Sequence, residues 1–125
     1  MLFPKSFLRV VDNSGAKYAR CLKVLQTSSA FGKKKYASVG DLILVSVRFC
    51  IPRKKVKKGD VFTGLVVRTK CVIKRSVGNL WLMQNAIILL DKKKQPLATR
   101  MFGPVGREAR VKKYNKLSTI AKFVV

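Results

Sequence analysis

Short apolar segments separated by turn residues are the feature that most constrains how this chain folds. The segments are rich in Val, Ile and Leu and occupy residues 7–11, 19–25, 42–51, 61–67 and 80–90. The turns between them contain Gly, Asn and Asp and occupy residues 12–15, 39–41, 58–60, 77–79 and 91–96. Short strands joined by such turns predict an antiparallel barrel or sandwich and argue against a helical bundle.

The segment 42–49 shows the two-residue alternation of a half-buried strand. Its uniformly apolar face consists of Ile43, Val45, Val47 and Phe49, which we expect to point inward. The other face consists of Leu42, Leu44, Ser46 and Arg48, so Arg48 is expected to point outward. A closed barrel leaves no strand edge exposed, which favours a barrel for a chain so rich in valine.

The C-terminal part of the chain changes character after Gly103. Pro104 suits the first turn of a helix, and bases alternate with apolar residues from 105 to 120. One helical face is predicted by the spacing of Tyr114, Leu117, Ile120 and Ala121. We therefore expect one or two short α-helices over about 104–122. Since no Gly/Ser-rich linker separates them from the barrel, residues 1–125 are expected to form a single domain.

Positive charge is the second strong feature of the sequence. The chain has 28 Lys and Arg against 5 Asp and Glu, a formal net charge of +23. Solubility requires a net charge of only about 2–8 in a small domain, and a larger surplus repels itself unless a polyanion takes it up. The bases cluster at 33–35, 53–58, 74–75, 92–94 and 107–116, mostly in predicted loops. A folded module that binds a polyanion is therefore predicted.

The small number of aromatic residues near the lysines and arginines indicates which kind of nucleic acid is bound. Phe31, Tyr36, Phe62 and Trp81 do not interleave with Lys and Arg along the sequence, and Phe62 and Trp81 are expected in the core. Loop lysines and arginines suit phosphate oxygens more than base edges. The pattern favours recognition of a structured RNA by its shape and phosphates over recognition of single-stranded bases.

Residues that perform catalysis or hold metals are scarce. The chain has no histidine, the commonest general base and zinc ligand. Cys21, Cys50 and Cys71 lack paired-ligand spacing and are expected to be buried, reduced thiols. The aspartates Asp12, Asp41, Asp60 and Asp91 lie in turns, where bonding to the local backbone explains them, and Glu108 lies in a predicted helix. We predict no enzymatic activity, no metal, no cofactor and no small-molecule substrate.

Two other classes of protein stay open on the residues alone. A free nucleic-acid chaperone or regulator with an oligonucleotide-binding type of barrel would bind single strands through Phe31, Tyr36 or Trp81. Binding to an anionic membrane surface would depend on the segment 114–123. No membrane partner is expected, since the longest uncharged stretch, 76–90, is interrupted by polar residues and is shorter than the roughly 20 residues of a spanning helix.

Several longer motifs resemble the ribosomal protein L-fourteen family of the large subunit. They are Val11-Asp12-Asn13-Ser14-Gly15-Ala16, Lys23-Val24-Leu25, Val39-Gly40-Asp41, Ile51-Pro52-Arg53, Val56-Lys57-Lys58-Gly59-Asp60-Val61, Val66-Val67-Arg68-Thr69-Lys70, Asn85-Ala86 and Thr99-Arg100-Met101-Phe102-Gly103-Pro104-Val105. The motifs follow the family's order over nearly the whole chain and are close to its bacterial form. The region 70–84 departs from it, being one residue shorter, with Trp81 where relatives carry a charged strand.

The resemblance implies a fold and a set of partners. The fold is a small five-stranded antiparallel closed barrel with a protruding β-hairpin and a C-terminal helical part. The partners are large-subunit ribosomal RNA, neighbouring large-subunit proteins, small-subunit ribosomal RNA at an intersubunit bridge, and a ribosome-silencing factor. Carried over by motif, the silencing factor would dock at Thr99, Arg100 and Lys116.

The cation clusters and the resemblance together give the candidate RNA-binding residues. They are Asn13, Ser14, Lys17, Lys33, Lys34, Lys35, Arg48, Arg53, Lys54, Lys55, Lys57, Lys58, Arg68, Lys70, Lys74, Arg75, Lys92, Lys93, Arg107, Arg110, Lys112 and Lys113. The high lysine content and Cys50 and Cys71 are unlike typical bacterial members and favour a mitochondrial ribosome. A plastid ribosome and the bacterial cytoplasm are the alternatives.

Overall fold

The computed structural model of the protein describes residues 1–26, 35–111 and 115–125. The described strands are β1 (Phe7–Val10), β2 (Ala16–Gln26), β3 (Leu42–Cys50), β4 (Val61–Arg68), β5 (Ile73–Arg75), β6 (Gly78–Leu80), β7 (Ala86–Leu90), β8 (Pro104–Val105) and β9 (Phe123–Val124). The described helices are α1 (Arg107–Val111) and α2 (Asn115–Ile120). The prediction of a mainly β chain with short C-terminal helices is confirmed.

Five strands close into a barrel in the order β1-β2-β3-β4-β7. Four of its pairings are antiparallel, as predicted, but β1 and β7 are parallel, with Arg9 opposite Ala86 and Val10 opposite Ile87. An odd number of strands cannot alternate direction around a closed ring, so one parallel pair is unavoidable. The expectation of an entirely antiparallel barrel was wrong for this reason.

The barrel interior is filled by alternating aliphatic residues. Ile43, Val45 and Val47 of β3 are fully buried, as the alternation predicted. Phe49, predicted to be inward, is 58% exposed. Between the pairs Ala19–Val47 and Tyr18–Phe49 the register shifts, and Arg48 is the extra residue on β3. Such a bulge interrupts the alternation, and the Phe49 ring lies edge-on against Tyr18, with ring centroids 6.2 Å apart.

A second apolar cluster lies outside the barrel, where the C-terminal segment covers β4 and β7. Its members are Val11, Val39, Leu42, Leu65, Val67, Ala86, Ile88, Leu90, Met101, Val105, Ala109 and Leu117. Strand β7 is consequently buried on both faces, which explains its unbroken apolar sequence. Leu42 shares the Arg48 face of β3, but it is buried because it belongs to this cluster.

The C-terminal helical part differs from the prediction at its start. Leu117 is buried and Ile120 and Ala121 pack on the second cluster, which confirms that helical face except for Tyr114, which lies outside the described residues. Pro104 does not begin a helix. It pairs with Phe123 in the two-stranded parallel sheet β8–β9, and the helix begins at Arg107.

Strands β5 and β6 form the predicted hairpin, with Ser76 and Val77 as its turn. Trp81, which follows the hairpin, was expected in the core but is 61% exposed. The hairpin that precedes it is a separate two-stranded sheet and not part of the barrel wall. Phe62, by contrast, packs against the barrel core as predicted.

An ion pair joins the hairpin to the C-terminal part. Arg75 Nε lies 2.8 Å from Glu108 Oε1, and Arg75 Nη2 also donates to Glu108 Oε2 and to the Val125 carbonyl. Burial raises the pKa of the Glu108 carboxyl, but the bonds from Arg75 and the backbone and the charges of Arg75 and Arg107 outweigh it, so this pKa lies below its ordinary value. The carboxylate therefore stabilises the docked hairpin at neutral pH.

Glu108→Gln should lower the free energy of unfolding by about 1 kcal/mol at pH 7, because it removes a charge-assisted pair that is partly open to solvent. A carboxyl whose pKa is lower in the folded than in the unfolded state stabilises the fold at pH values above its unfolded pKa of about 4.3. This stabilisation is lost as the pH falls through the folded pKa. Urea unfolding from pH 7 to pH 3 should show the difference between the variant and the parent decrease as the pH falls below about 4.3. An offset that is constant over this range would contradict the assignment.

The small polar groups largely behave as expected. All four turn aspartates accept hydrogen bonds from nearby backbone N–H groups, those of Ser14, Ser38, Lys57 and Lys92. Cys21 is buried and burial raises the pKa of its thiol, but Cys50 and Cys71 are only half-buried, so the expectation of buried thiols was wrong for these two. In the part of the chain that the structure describes, no helix has the length and apolar character to cross a membrane. The same residues contain no cluster of three metal-ligating side chains.

Candidate RNA interface

Two predicted RNA-binding loops meet at one end of the barrel. Strands β1 and β3 run in the same direction, since both are antiparallel to β2. Their following loops, 11–15 and 51–60, therefore lie together. The Ile51 N–H donates to the Gly15 carbonyl over 2.8 Å. Gly15 has a φ of +105° and lies against the Lys54 side chain. The two loops form one continuous surface, called here the loop surface (residues 12–17 and 51–58).

Asp12 holds the first loop on the barrel. Its Oδ1 accepts from the N–H of Ser14 over 3.0 Å and also from the Ser14 hydroxyl. Its Oδ2 accepts from the Leu89 N–H of β7 over 3.0 Å. Asp12 and Ser14 are both buried. The Ser14 hydroxyl is already used as a donor to Asp12. Asn13 is the exposed polar side chain of this turn, and Lys17 is exposed at the start of β2.

The second loop displays cations around one apolar anchor. Val56 is 2% exposed and belongs to the barrel core. Asp60 Oδ2 accepts from the Lys57 N–H over 2.9 Å and closes the end of the loop. The bases of this loop are all exposed: Arg53, Lys54, Lys55, Lys57 and Lys58. A loop that is fixed at Val56 and bonded at both ends presents these charges without a large ordering cost on binding.

The residues predicted to bind a silencing factor adjoin this surface. The Asn13 N–H donates to the Arg100 carbonyl over 3.2 Å, and Asn13 Nδ2 donates to Thr99 Oγ1 over 3.3 Å. Lys116 Nζ donates to Gln95 Oε1 over 3.0 Å, which brings α2 against the segment 91–101. Thr99, Arg100 and Lys116 are all exposed. Thr99 and Arg100 are thus bonded to Asn13, and Lys116 is bonded to Gln95 of the same segment. Thr99, Arg100 and Lys116 are together called the 99–116 surface.

The remaining predicted cations are distributed over both barrel ends. Lys92 and Lys93 are exposed in the loop after β7, at the same end as the loop surface, because β7 is parallel to β1. Lys70 and Lys74 are exposed at the opposite end, after β4. Lys35 and Arg107 are exposed as well. Lys33, Lys34, Lys112, Lys113 and the side chain of Arg110 lie outside the described residues.

A family model, described as ribosomal protein L14p/L23e, matches residues 1–125, the whole chain. The chain belongs to this family. As an L14p/L23e protein it is a structural constituent of the large ribosomal subunit, binds large-subunit ribosomal RNA, and is not an enzyme. Its location is the ribosome and its neighbours there include other ribosomal proteins. The cationic loops described above are therefore interpreted as parts of an RNA-binding protein.

Three arginines of this L14p/L23e chain that were predicted to bind RNA are paired or buried. Arg75 is paired with Glu108, as described above. Arg68 is 6% exposed, and its Nη2 donates to the Phe102 carbonyl over 2.7 Å. Arg48 is half-buried, with a buried Nε that has no partner among the described residues. RNA contacts of these three arginines stay predictions, and the guanidinium groups of Arg68 and Arg75 are already bonded to protein acceptors.

A groove of about 460 Å³ beside the loop surface contains residues that sequence reasoning missed. It is lined by Arg9 and Tyr18, which face each other across β1 and β2, and by Phe102. Tyr18 is 44% and Phe102 58% exposed. Aromatic and cationic side chains interleave in this groove because their neighbours lie across strands and not along the chain, where the sequence pattern was sought. Alternation in 7–10 was the one signal that could have identified Arg9 as outward-facing.

Proposed function

We propose that this chain binds large-subunit ribosomal RNA through the loop surface. The observation that carries the proposal is the contact between the loops, in which the Ile51 N–H donates to the Gly15 carbonyl and Lys54 packs on Gly15. This contact joins the exposed Asn13 and Lys17 to five exposed cations of the second loop. Lysine and arginine side chains on such loops neutralise phosphates and position a protein on folded RNA.

The strength of this binding should depend steeply on salt. Each phosphate that a base neutralises releases counterions, so log K falls linearly with log salt. With six to ten such contacts, affinity should decrease by roughly three to five decades between low and moderate salt. Sedimentation of the protein with ribosomal particles in a fractionated lysate tests the proposal. Stable recovery free of ribosomal particles would overturn it in favour of a free nucleic-acid chaperone.

We further propose that the protein lies at the face of the large subunit that meets the small subunit and contributes to a bridge with small-subunit ribosomal RNA. The presence of exposed cations at both ends of the barrel supports two RNA contacts. The loop surface and Lys92 and Lys93 lie at one end, and Lys70 and Lys74 lie at the other. An RNA segment bound at one end of the barrel would leave the cations at the other end free to contact a second RNA.

We also propose that the 99–116 surface docks a ribosome-silencing factor. Support comes from the exposure of all three residues and from two sets of bonds: those of Asn13 with Thr99 and Arg100, and that of Lys116 with Gln95 of the same 91–101 segment. A factor bound there would lie next to the loop surface, close enough to obstruct joining of the subunits.

Thr99→Ala combined with Arg100→Ala should leave incorporation into large subunits unchanged and weaken silencing-factor binding by about tenfold or more, since a charged donor and a hydroxyl are lost. Pull-down of purified large subunits by the factor measures this. Lys23→Ala is the control, because it removes one exposed charge from β2 and does not line the pocket that contains Arg100. Loss of subunit assembly in the double variant would contradict the docking role.

We propose that the protein belongs to a mitochondrial ribosome. The support is its composition: a net charge of +23, together with Cys50 and Cys71, which are unlike typical bacterial members. Fractionation of cells with antibodies against this chain should recover it with mitochondrial ribosomal particles. Recovery with plastid or cytoplasmic bacterial particles would overturn this placement while leaving the RNA-binding proposal intact.

A further inference from the structure

A small pocket of about 290 Å³ contains two guanidinium groups on one side of β1. Arg68, at the end of β4, is 6% exposed, and its Nη2 donates to the Phe102 carbonyl. Its Nε is buried and has no hydrogen-bond partner among the described residues. Arg9, on the neighbouring strand, is exposed and donates from Nη1 to Gln84 Oε1 over 3.3 Å. Gln84 and Phe102 also line this pocket.

The charge of this pocket is not balanced by the protein. Among the described side chains the one ion pair is Arg75–Glu108, so neither Arg9 nor Arg68 has a carboxylate partner there. Burial lowers the pKa of Arg68, and the charge of Arg9 lowers it further. A buried donor without an acceptor and two like charges close together both cost free energy. An anion in the pocket would accept from the unpartnered N–H and neutralise the repulsion.

We infer that the Arg9–Arg68 pocket is a subsite for one phosphate group of the bound RNA. The inference rests on the proposed RNA-binding function and assigns it a specific site. Arginine forms forked bonds that match phosphate oxygens. The pocket shares Arg9 and Phe102 with the groove beside the loop surface, so a strand bound there passes directly over it. In that groove, Tyr18 and Phe102 provide exposed rings next to the phosphate.

Titration of the folded, full-length chain with inorganic phosphate at constant ionic strength tests the subsite. The arginine Nε–H resonances in nitrogen–proton NMR spectra report the binding. Resonances of Arg9 and Arg68 should shift and saturate at millimolar phosphate. Acetate at equal ionic strength should give smaller shifts without saturation. Arg9→Gln should weaken phosphate binding by about tenfold, the effect of one lost charged donor.

Arg20→Gln is the matched control, since it removes an arginine from the adjacent strand β2 and does not line the pocket. It should change phosphate affinity by less than about twofold. Equal weakening in both variants, or equal shifts with acetate and phosphate, would show general charge attraction and overturn the subsite.

Binding of both variants to large-subunit ribosomal RNA separates this inference from the proposed function. Arg9→Gln should weaken RNA binding more than Arg20→Gln. If the parent chain binds the RNA and the two variants are alike, the subsite is wrong and the proposed function stands. If the parent chain does not bind this RNA at all, the proposed function fails, whatever the phosphate titration shows.

Discussion

Replacing Arg53, Lys54 and Lys55 together by Ala should weaken binding to large-subunit ribosomal RNA and make the log K against log salt plot shallower by about three units. Each neutralised phosphate contributes about 0.9 to this slope in a duplex. The three side chains are exposed on a loop that is anchored by Val56 and by the bond to Gly15. Filter binding to the transcript over a range of salt concentrations measures both quantities.

The control for this prediction removes the same charge from another part of the surface. Arg20→Ala, Lys23→Ala and Lys122→Ala together lower the net charge by three but lie outside the loop surface. We expect this variant to change the slope by less than about one unit. Equal slopes for the loop variant and the parent chain would show that the loop faces solvent in the complex.

Gly15→Ala should both destabilise the protein and weaken RNA binding, because the contact between the two loops occurs at this residue. Gly15 has a φ of +105°, and an added Cβ would overlap the Cβ and Cγ of Lys54. Strain at a positive φ costs about 1–2 kcal/mol, and displacing the packed stem of Lys54 adds about 1–3 kcal/mol. Urea unfolding should show a total loss of about 2–5 kcal/mol.

Gly59→Ala separates strain from displacement. Gly59 has a similar φ of +92°, but no atom lies within 4 Å of its added Cβ. It should lose only about 1–2 kcal/mol and retain most of its RNA affinity. If both variants lose the same stability and the same affinity, the packing of Lys54 on Gly15 contributes nothing to the surface.

The barrel strands and their turns were predictable from the sequence because local patterns determine them. Alternation identified Ile43, Val45 and Val47 as interior residues, and turn residues identified the turns at 39–41 and 58–60, where Gly40 and Gly59 have positive φ. The aspartates were correctly interpreted as turn residues, since a carboxylate near free backbone N–H groups bonds them regardless of the tertiary fold.

Features that depend on contacts distant in sequence were not predictable in this way. Phe49 is exposed because a bulge at Arg48 interrupts the alternation, and such a bulge has no clear local signature. Leu42 is buried because the C-terminal segment covers it. Pro104 is in a strand because Phe123, nineteen residues later, pairs with it. In each case tertiary contacts, and not the local sequence preference, determined the structure.

The candidate site was predicted in part. Asn13, Ser14, Lys17 and the bases of 53–58 were identified by charge and by motif, and the structure brings their two loops into contact. Arg9, Tyr18 and Phe102 were missed because cross-strand pairing and a chain reversal bring them together, not sequence proximity. Arg68 was predicted to bind RNA, but it is buried and donates to the Phe102 carbonyl.

Crosslinking of the assembled ribosomal particle tests the central claim most directly. Ultraviolet irradiation, digestion and mass spectrometry identify which peptides of this chain carry large-subunit RNA. We expect crosslinked nucleotides on peptides that contain residues 12–17 and 51–58. Crosslinks confined to other segments, with both loops modified freely by a solvent-borne lysine reagent in the intact particle, would contradict the assignment of the loop surface.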